Sequence, residues 1–103
     1  MPDPADDIVL EPVWFVEATY APDAAETRMP FRPEHLKGIA DRLDAGVYVE
    51  AGAFSDVSAS VVLVRAASEA EALELVGDDV YLRNGVWVEV RARPFGRVTR
   101  SNR

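Results

Sequence analysis

The sequence predicts a single α+β domain in which the elements follow one another as strand, helix, strand, strand, helix, strand. Four short segments are rich in β-branched and aromatic residues, and two segments between them repeat apolar residues at helical spacing. Residues that begin or end helices stand at their borders. This order is that of the ferredoxin-like split β-α-β fold. The expected sheet is antiparallel and four-stranded, in the order 4-1-3-2, with both helices on one face.

The first strand and the first helix follow a short beginning without periodicity. Val13–Tyr20 is β-branched and aromatic, which is typical of a strand, and residues 21–29 predict a polar loop. Pro33 suits the first turn of a helix, which runs to about Ala45 and is expected to end at Gly46. The predicted buried stripe of this helix consists of Leu36, Ile39, Ala40 and Leu43.

The two middle strands are separated by a short polar turn. Val47–Phe54 alternates in polarity and predicts the second strand, and Ser55–Ser58 predicts the turn. Ala59–Ala66 has an apolar centre, which favours a strand in the interior of the sheet.

The second helix and the last strand are bounded by end signals. Ser68 followed by Glu71 forms a capping box, and Gly77 is expected to end the helix. Asp78–Gly85 predicts a connection with room for a short helical turn, and Val86–Arg93 predicts the fourth strand.

Composition indicates one ordinary globular domain. The chain has 103 residues, 49% of them hydrophobic, and no cysteine, so disulfides, thiolate catalysis and cysteine-type zinc sites are excluded. No apolar run is long enough to cross a membrane, and the acidic start is unlike a signal peptide, so we expect a cytoplasmic protein with no membrane partner. A net charge of -7 argues against nucleic acid as a partner, because phosphate contacts need a basic surface. We expect a flexible arm over residues 1–12, the domain over residues 13–98 and a basic tail over residues 99–103.

The charges are unevenly spread along the chain. Residues 1–30 carry seven acidic side chains and one arginine, whereas residues 91–103 carry five arginines and no acid. Two interpretations are open. Each end is a solvated segment of one sign, or the two ends lie near each other or meet across a dimer.

Alternation along the strands assigns side chains to the two faces of the sheet. One predicted face is apolar and suits the helices: Trp14, Val16, Ala18, Val62, Val64, Val86, Val88 and Val90. The other mixes aromatic and charged residues: Phe15, Glu17, Tyr48, Glu50, Trp87, Glu89 and Arg91. Such a patch favours a partner surface or a ligand cavity, and we expect a homodimer through this open face. The alternative is a half-solvated surface on which the aromatic rings lie under Arg and Glu stems.

His35 is the only histidine and the first candidate for proton transfer. It lies in the first turn of the predicted helix, at the edge of the apolar stripe, and a neutral histidine can accept a proton near neutral pH. The alternative is a half-buried histidine that makes one structural hydrogen bond. A metal site is not favoured, because one histidine and no cysteine leave only carboxylates as further ligands. No cofactor is expected.

The predicted topology collects polar side chains at the end of the domain where the first helix begins. We expect to find there Tyr20, Arg28, Arg32, His35, Ser55, Asp56, Asp78, Asp79 and Tyr81. A carboxylate on one ring nitrogen of a histidine fixes the tautomer and makes the other nitrogen a better base. Either Asp78 or Asp79 is suited to this position beside His35. Arg28 or Arg32 would hold an anionic or enolic oxygen.

Four short segments resemble the YCII-related (YciI-like) family. They are Arg32-Pro33-Glu34-His35-Leu36, Ala51-Gly52, Asp79-Val80-Tyr81 and Pro94-Phe95, and the resemblance extends from Val13 to Val98. It implies a ferredoxin-like domain that dimerises by packing sheets face to face, the dimeric α+β barrel arrangement. It also implies an active-site pair of His35 and Asp79. Some relatives act in the breakdown of chlorinated aromatics, as a dehydrochlorinase on a hydroxyquinol.

The chain departs from the family pattern near the expected pocket. Val80 stands where the family usually has proline after the aspartate, and Ala53 stands where proline usually follows Gly52. The turn between the second and third strands is also short. These differences concern the pocket more than the fold.

Two functions fit these observations. The first is a cofactor-independent proton-transfer enzyme, an isomerase, lyase or dehydrohalogenase, that acts on a small cyclic or aromatic acid. His35 and Asp79 would be catalytic, and the substrate-binding residues would be Arg32, Arg28, Tyr20, Tyr81 and Ser55. The second is a non-catalytic dimeric module that binds a small ligand or a protein, in which the His–Asp pair is a structural bond.

Overall fold

The structure is a computed structural model that describes residues 7–101. Its strands and α-helices are, in chain order, β1 (Ile8–Tyr20), α1 (Ala24–Thr27), α2 (Arg32–Asp44), β2 (Tyr48–Ala53), β3 (Ala59–Val64), α3 (Glu69–Gly77), α4 (Val80–Arg83) and β4 (Trp87–Arg100). A single 3-10 turn, Met29–Phe31, joins α1 to α2. The sheet order is β2-β3-β1-β4 with antiparallel neighbours, so the predicted order 4-1-3-2 is confirmed.

The helices follow the sequence signals with one exception. Ser68 Oγ accepts a hydrogen bond from the backbone N–H of Glu71 at 3.1 Å, so the predicted cap of α3 is confirmed. The helical turn expected after Asp78 is α4. The loop predicted over residues 21–29 is wrong, because α1 forms there from good helix formers and buries Ala24. No helix within residues 7–101 is long and apolar enough to cross a membrane.

A β-bulge in β4 corrects the predicted position of Trp87. In the register of β1 and β4, Thr19 pairs with Glu89. The next residue of β1, Tyr20, pairs with Trp87, so Val88 is an extra residue in β4. One extra residue inverts the alternation of side chains. Trp87 is therefore buried in the core and does not lie on the open face, whereas Val88, predicted to face the helices, is 60% exposed.

A second bulge, in β2, corrects the predicted position of Tyr48. Tyr48 pairs with Val64, but Glu50 pairs with Leu63, so Val49 is the extra residue. Tyr48 therefore shares the core face with Val64 and is buried. Glu50 keeps the open face that alternation assigns to it.

The core lies between one face of the sheet and the helices. Its buried side chains include Val16, Ala18, Val62, Val64, Ala72, Val76 and Tyr81. Helix α2 fully buries only His35. Leu36 and Leu43 are 45% and 41% exposed, so the predicted buried stripe of this helix is wrong except at Ile39, which packs against the core. The helix is rotated so that His35 points inward, because residues of α4 bind and stack on its ring.

Both terminal strands are longer than predicted. Residues 8–12, expected in a flexible arm, belong to β1, and Thr99 and Arg100, expected in a tail, belong to β4. The rest of the expected arm and tail, residues 1–6 and 102–103, lies outside the described residues. β1 pairs with β3 only from Trp14 onward. On the N-terminal side of Trp14, β1 pairs with β4 alone, and the two strands form a two-stranded ribbon. The molecule measures 55 × 27 × 22 Å.

The uneven charges meet in this ribbon, which we define as residues 8–13 of β1 and 95–100 of β4. Arg97 Nη1 lies 3.4 Å from a carboxylate oxygen of Glu11, and Arg65 Nε lies 3.0 Å from the other. At its end Arg100 binds Asp7. The interpretation that the two end segments lie near each other is thus confirmed for residues 7–13 and 95–100, where Glu11 and Asp7 pair with Arg97 and Arg100.

Candidate active site

His35 and Asp79 meet between α2 and α4. His35 lies in the first turn of α2, and Asp79 caps the N-terminus of α4. His35 Nδ1 lies 2.8 Å from both carboxylate oxygens of Asp79, and both residues are 6% exposed. Asp78, the other aspartate suited to this role, lies on the surface beside Arg42 and Arg83. The partner of His35 is therefore Asp79.

A backbone contact orients the Asp79 carboxylate. Its Oδ1 accepts the backbone N–H of Tyr81 at 2.8 Å, which is the capping bond of α4. Carboxylate oxygens only accept, so His35 donates from Nδ1, and a neutral ring then offers its lone pair at Nε2. Within residues 7–101, Nε2 has no hydrogen-bond partner. The arrangement is that of a histidine held by a carboxylate with its second nitrogen available for proton exchange.

Two aromatic rings hold the imidazole in place. The Tyr81 ring stacks on the His35 ring, with centroids 3.7 Å apart and planes 9° apart. The Trp87 ring meets the imidazole at 90°, with centroids 5.4 Å apart. Both aromatic residues are buried, so the imidazole has little freedom to turn.

The pair lines a cavity of about 240 Å³ between α2 and the sheet. Its walls are formed by Tyr20, Arg28, Arg32, His35, Leu36, Ile39, Leu43, Tyr48, Ala51, Gly52, Ala53, Ser60, Val62, Asp79, Tyr81 and Trp87. An apolar cavity of about 150 Å³ is enough to hold benzene. This cavity therefore has room for one substituted ring.

The structure brings most of the predicted site residues together in this cavity. They are Tyr20, Arg28, Arg32, His35, Asp79 and Tyr81. Ser55 and Asp56 do not line it, because they lie in the exposed turn between β2 and β3. Ser60 takes the expected place of Ser55, and its Oγ donates to the Tyr20 hydroxyl at 3.1 Å. Alternation could have found Ser60, since it stands two residues before Val62 on the core face of β3.

The sequence matches the model of a known protein family. Residues 13–96 match the family model of the YCII-related domain. The chain belongs to this family. The resemblance seen in its sequence is thereby confirmed over most of the chain.

A solved structure shares the fold of this YCII-related domain protein. It is 5-chloro-2-hydroxyhydroquinone dehydrochlorinase from Burkholderia phenoliruptrix AC1100, in complex with 2,5-dihydroxybenzoquinone. The TM-score is 0.67 and the identity is 14%, over 79% of this chain and 90% of the other. At this identity the likeness shows the α+β fold alone. No curated protein matches the chain.

Two phenols of the cavity, those of Tyr48 and Tyr81, keep their protons at neutral pH. Burial raises the pKa of Tyr48 to about 12, against the opposing charge of Arg42. Burial also raises the pKa of Tyr81, while Arg28 and Arg32 act in the opposite direction. The two phenols are therefore hydrogen-bond donors near pH 7 and not bases.

Two cations complete the cavity of the YCII-related domain. Arg28 and Arg32 line it, and the ion pairs among residues 7–101 include neither of them. Guanidinium groups without a carboxylate partner are suited to binding a negatively charged oxygen. Among the same residues, no three His, Asp or Glu side chains group as a metal site.

Proposed function

We propose that this YCII-related domain protein is a cofactor-independent proton-transfer enzyme, of the isomerase, lyase or dehydrohalogenase type, that acts on a small cyclic or aromatic acid. The observation that carries the proposal is the His35–Asp79 pair in the wall of a ring-sized cavity. The same cavity holds Arg28 and Arg32. An oriented base and a cation are the groups needed to remove a proton from a carbon next to a carbonyl, or from a phenol oxygen.

In the proposed reaction, His35 Nε2 removes a proton from a ring carbon of the substrate. Asp79 stabilises the imidazolium that forms. The electron pair of the broken C–H bond moves toward a ring oxygen, and Arg32 or Arg28 stabilises the negative charge there. Return of the proton to another carbon completes an isomerisation. In a chlorinated hydroxyquinol the proton that His35 removes is instead that of a phenol oxygen, whose electron pair moves into the ring, and His35 returns this proton to the carbon that carries chlorine. Loss of a second phenol proton to solvent then forms the hydroxyquinone as chloride leaves with its bonding electron pair.

The dehydrochlorinase with the same fold supports the elimination reaction. It is named for dehydrochlorination of 5-chloro-2-hydroxyhydroquinone, and its complex contains 2,5-dihydroxybenzoquinone. Both compounds are single six-membered rings with several oxygens. Such rings match the size of a cavity of about 240 Å³ and the charge of its two arginines. Chlorinated hydroxyquinols are therefore the first substrates to test.

The variant His35→Gln tests the proposal. It removes the base but keeps a side chain that can donate to Asp79. We expect chloride release from 5-chloro-2-hydroxyhydroquinone to slow by about 10²–10⁴-fold, the usual contribution of a general base. Lys37→Gln is the matched control, since Lys37 lies on the exposed side of α2, and it should keep the wild-type rate. Equal rates for His35→Gln and wild type would contradict the proposal, and a wild type inactive on all chlorinated hydroxyquinols would exclude this substrate class.

In a second candidate function, the His35–Asp79 pair has a structural role and no catalytic one. Asp79 caps α4 while it binds His35 of α2, so the pair also ties two helices together. On this alternative, a non-catalytic module binds a small ligand or a protein. His35→Ala would then lower the melting temperature by several degrees and change no turnover, which thermal denaturation and the chloride assay distinguish together.

We also propose that two copies of the chain associate through the open face of the sheet. On that face the rings of Phe15 and Phe95 lie 5.7 Å apart, and the Arg93 guanidinium lies 5.6 Å from the Phe15 ring centre. Aromatic residues together with arginine are enriched in protein interfaces. Light scattering should give twice the chain mass of 11.3 kDa, and a single chain mass would refute the association.

The expected cytoplasmic location is a further prediction, which cell fractionation tests.

A further inference from the structure

Two residues that line the His35 cavity each have a buried N–H group with no acceptor in the described protein. Trp87 is 2% exposed, and its Nε1 has no hydrogen-bond partner among residues 7–101. The buried Nε of Arg28 is also without a partner there. Both residues line the same cavity. Because an unpaired buried donor costs free energy, each N–H is expected to meet an acceptor that the chain does not supply, either water or a ligand.

The two N–H groups define which kind of ligand would satisfy them. Indole and guanidinium nitrogens donate and do not accept, so the partner must present acceptors. The only carboxylate among the cavity-lining residues, Asp79, already binds His35 and the backbone N–H of Tyr81. Arg28 adds a positive charge that no carboxylate of residues 7–101 neutralises. A negatively charged oxygen complements both properties.

The walls of the cavity favour a flat ligand. Trp87 packs at near right angles to Tyr20 and to Tyr81, with ring centroids 6.4 and 5.6 Å apart, and it meets His35 edge-on. The cavity is thus bounded by rigid aromatic rings and holds about 240 Å³. A planar six-membered ring fills such a space better than a flexible chain, because it loses less conformational entropy on binding.

We infer that Trp87 is a ligand-binding residue: its Nε1 donates a hydrogen bond to one oxygen of a planar anion, and Arg28 binds a second oxygen. The inference rests on the cavity of the proposed function and names its substrate class, a ring that carries a phenolate, enolate or carboxylate together with a second acceptor oxygen.

The bulge at Val88 gives Trp87 this role. Without the extra residue, alternation would place the indole on the open face of the sheet, away from His35. Bulges often re-aim a side chain beside an active site. The bulge is therefore part of the binding site and not an irregularity of the strand.

Heteronuclear NMR of the intact protein tests the inference directly. Trp87 and Trp14 are the only tryptophans, so two indole N–H signals are expected. Trp14 Nε1 donates to the Ala66 carbonyl at 3.2 Å, outside the cavity, and serves as an internal control. We expect 2,5-dihydroxybenzoquinone or salicylate to shift the Trp87 signal and to leave the Trp14 signal unchanged. Toluene, a ring without oxygen, should shift neither.

Affinity measurements on two variants complete the test. Trp87→Phe should weaken binding of the anion about tenfold, the effect of one lost hydrogen bond to a charged group. Trp14→Phe should bind with the wild-type affinity. The inference is overturned if neither anion shifts the Trp87 signal, if toluene binds as tightly as the anions, or if Trp87→Phe binds like wild type.

The outcomes separate this inference from the proposed reaction. Anion binding with a Trp87 shift but without turnover supports the ligand class and rejects the enzyme. Turnover that depends on His35 but leaves the Trp87 signal unchanged supports the enzyme and overturns the role of Trp87.

Discussion

The carboxylate of Asp79 makes two kinds of contact: it caps a helix, and it binds the imidazole of His35. Its Oδ1 caps α4 through the N–H of Tyr81, and both oxygens bind His35 Nδ1. Asparagine caps a helix as well as aspartate does but carries no charge. We expect Asp79→Asn to lower the free energy of unfolding by about 1–2 kcal/mol, because the charge-assisted bond to His35 is lost while the cap is kept.

Asp79→Ala removes the cap as well, so chemical denaturation should show a further loss of about 1 kcal/mol. Asp78→Asn, at an exposed neighbouring position, is the control and should change stability by less than about 0.5 kcal/mol. If the asparagine and alanine variants were equally stable, the capping role of Asp79 would be wrong.

The buried phenol of Tyr48 makes the stability of the protein depend on pH. Burial raises its pKa from 10.0 to about 12, so the folded protein holds this proton more tightly than the unfolded chain does. The resulting stability is fully present below pH 10 and is lost as the pH rises through 12. Alkaline titration of phenolate absorbance should show a step near pH 12 that Tyr48→Phe removes. A Tyr48 that ionises near pH 10 would contradict its burial.

Among the elements, α2 depends on the backbone of Gly46 for its end. Gly46 has φ +74°, and its N–H and the following N–H bind carbonyls of the last helical turn. Gly46→Ala should cost about 1 kcal/mol, because an L side chain is strained at this φ. The added methyl would lie 3.6 Å from Arg65 Nη1, an ordinary contact, so the backbone is the cause. Gly52→Ala, with no atom within 4 Å, should not lower stability, and an equal loss at both positions would contradict this explanation.

The order of the elements could be predicted because local signals mark it. The cap formed by Ser68 and the end at Gly46 act within a few residues of chain. The bulges at Val49 and Val88 could not be predicted, since valine is ordinary in strands and the extra residue shows only when the strands pair. Those bulges place Tyr48 and Trp87 in the cavity, so this part of the site depends on register.

The rotation of α2 could not be predicted from the local sequence either. Hydrophobicity favours a helix that buries Leu36 and Leu43, but the helix instead buries His35. The bond that decides this joins His35 to Asp79, 44 residues away. The sequence suggests these two residues as a pair through topology and family resemblance. The exposure of the two leucines, which line the cavity, follows from the rotation and not from any local pattern.

At the scale of the whole molecule, the family domain and the ribbon are distinct parts. The family match covers residues 13–96, so most of the ribbon lies outside it. Apart from the buried Val13, its large apolar side chains are exposed: Ile8, Val9, Leu10, Phe95 and Val98. A two-stranded ribbon is only marginally stable in water by itself. Cross-strand ion pairs are therefore expected to contribute to its order.

Glu11 makes the ribbon sensitive to acid. A hydrogen bond from Arg65 holds the pKa of Glu11 below its usual value of 4.5, and Arg97 acts in the same direction. Because the folded pKa is lowered, this pairing stabilises the ribbon above pH 4.5 and is lost as the pH falls through the folded pKa. The effect weakens with salt, since the groups are exposed.

Hydrogen exchange should therefore separate the ribbon from the rest of the sheet. We expect lower protection factors for ribbon amides than for residues 14–19, which have strand partners on both sides, and a larger difference in Glu11→Gln or in acid. Glu50→Gln, on the far edge strand, is the control and should leave the ribbon unchanged. Ribbon amides as protected as residues 14–19 at every protein concentration would contradict the marginal stability of the ribbon. Protection that rises with protein concentration would instead place the exposed apolar side chains of the ribbon against a second copy of the chain, because only association depends on concentration.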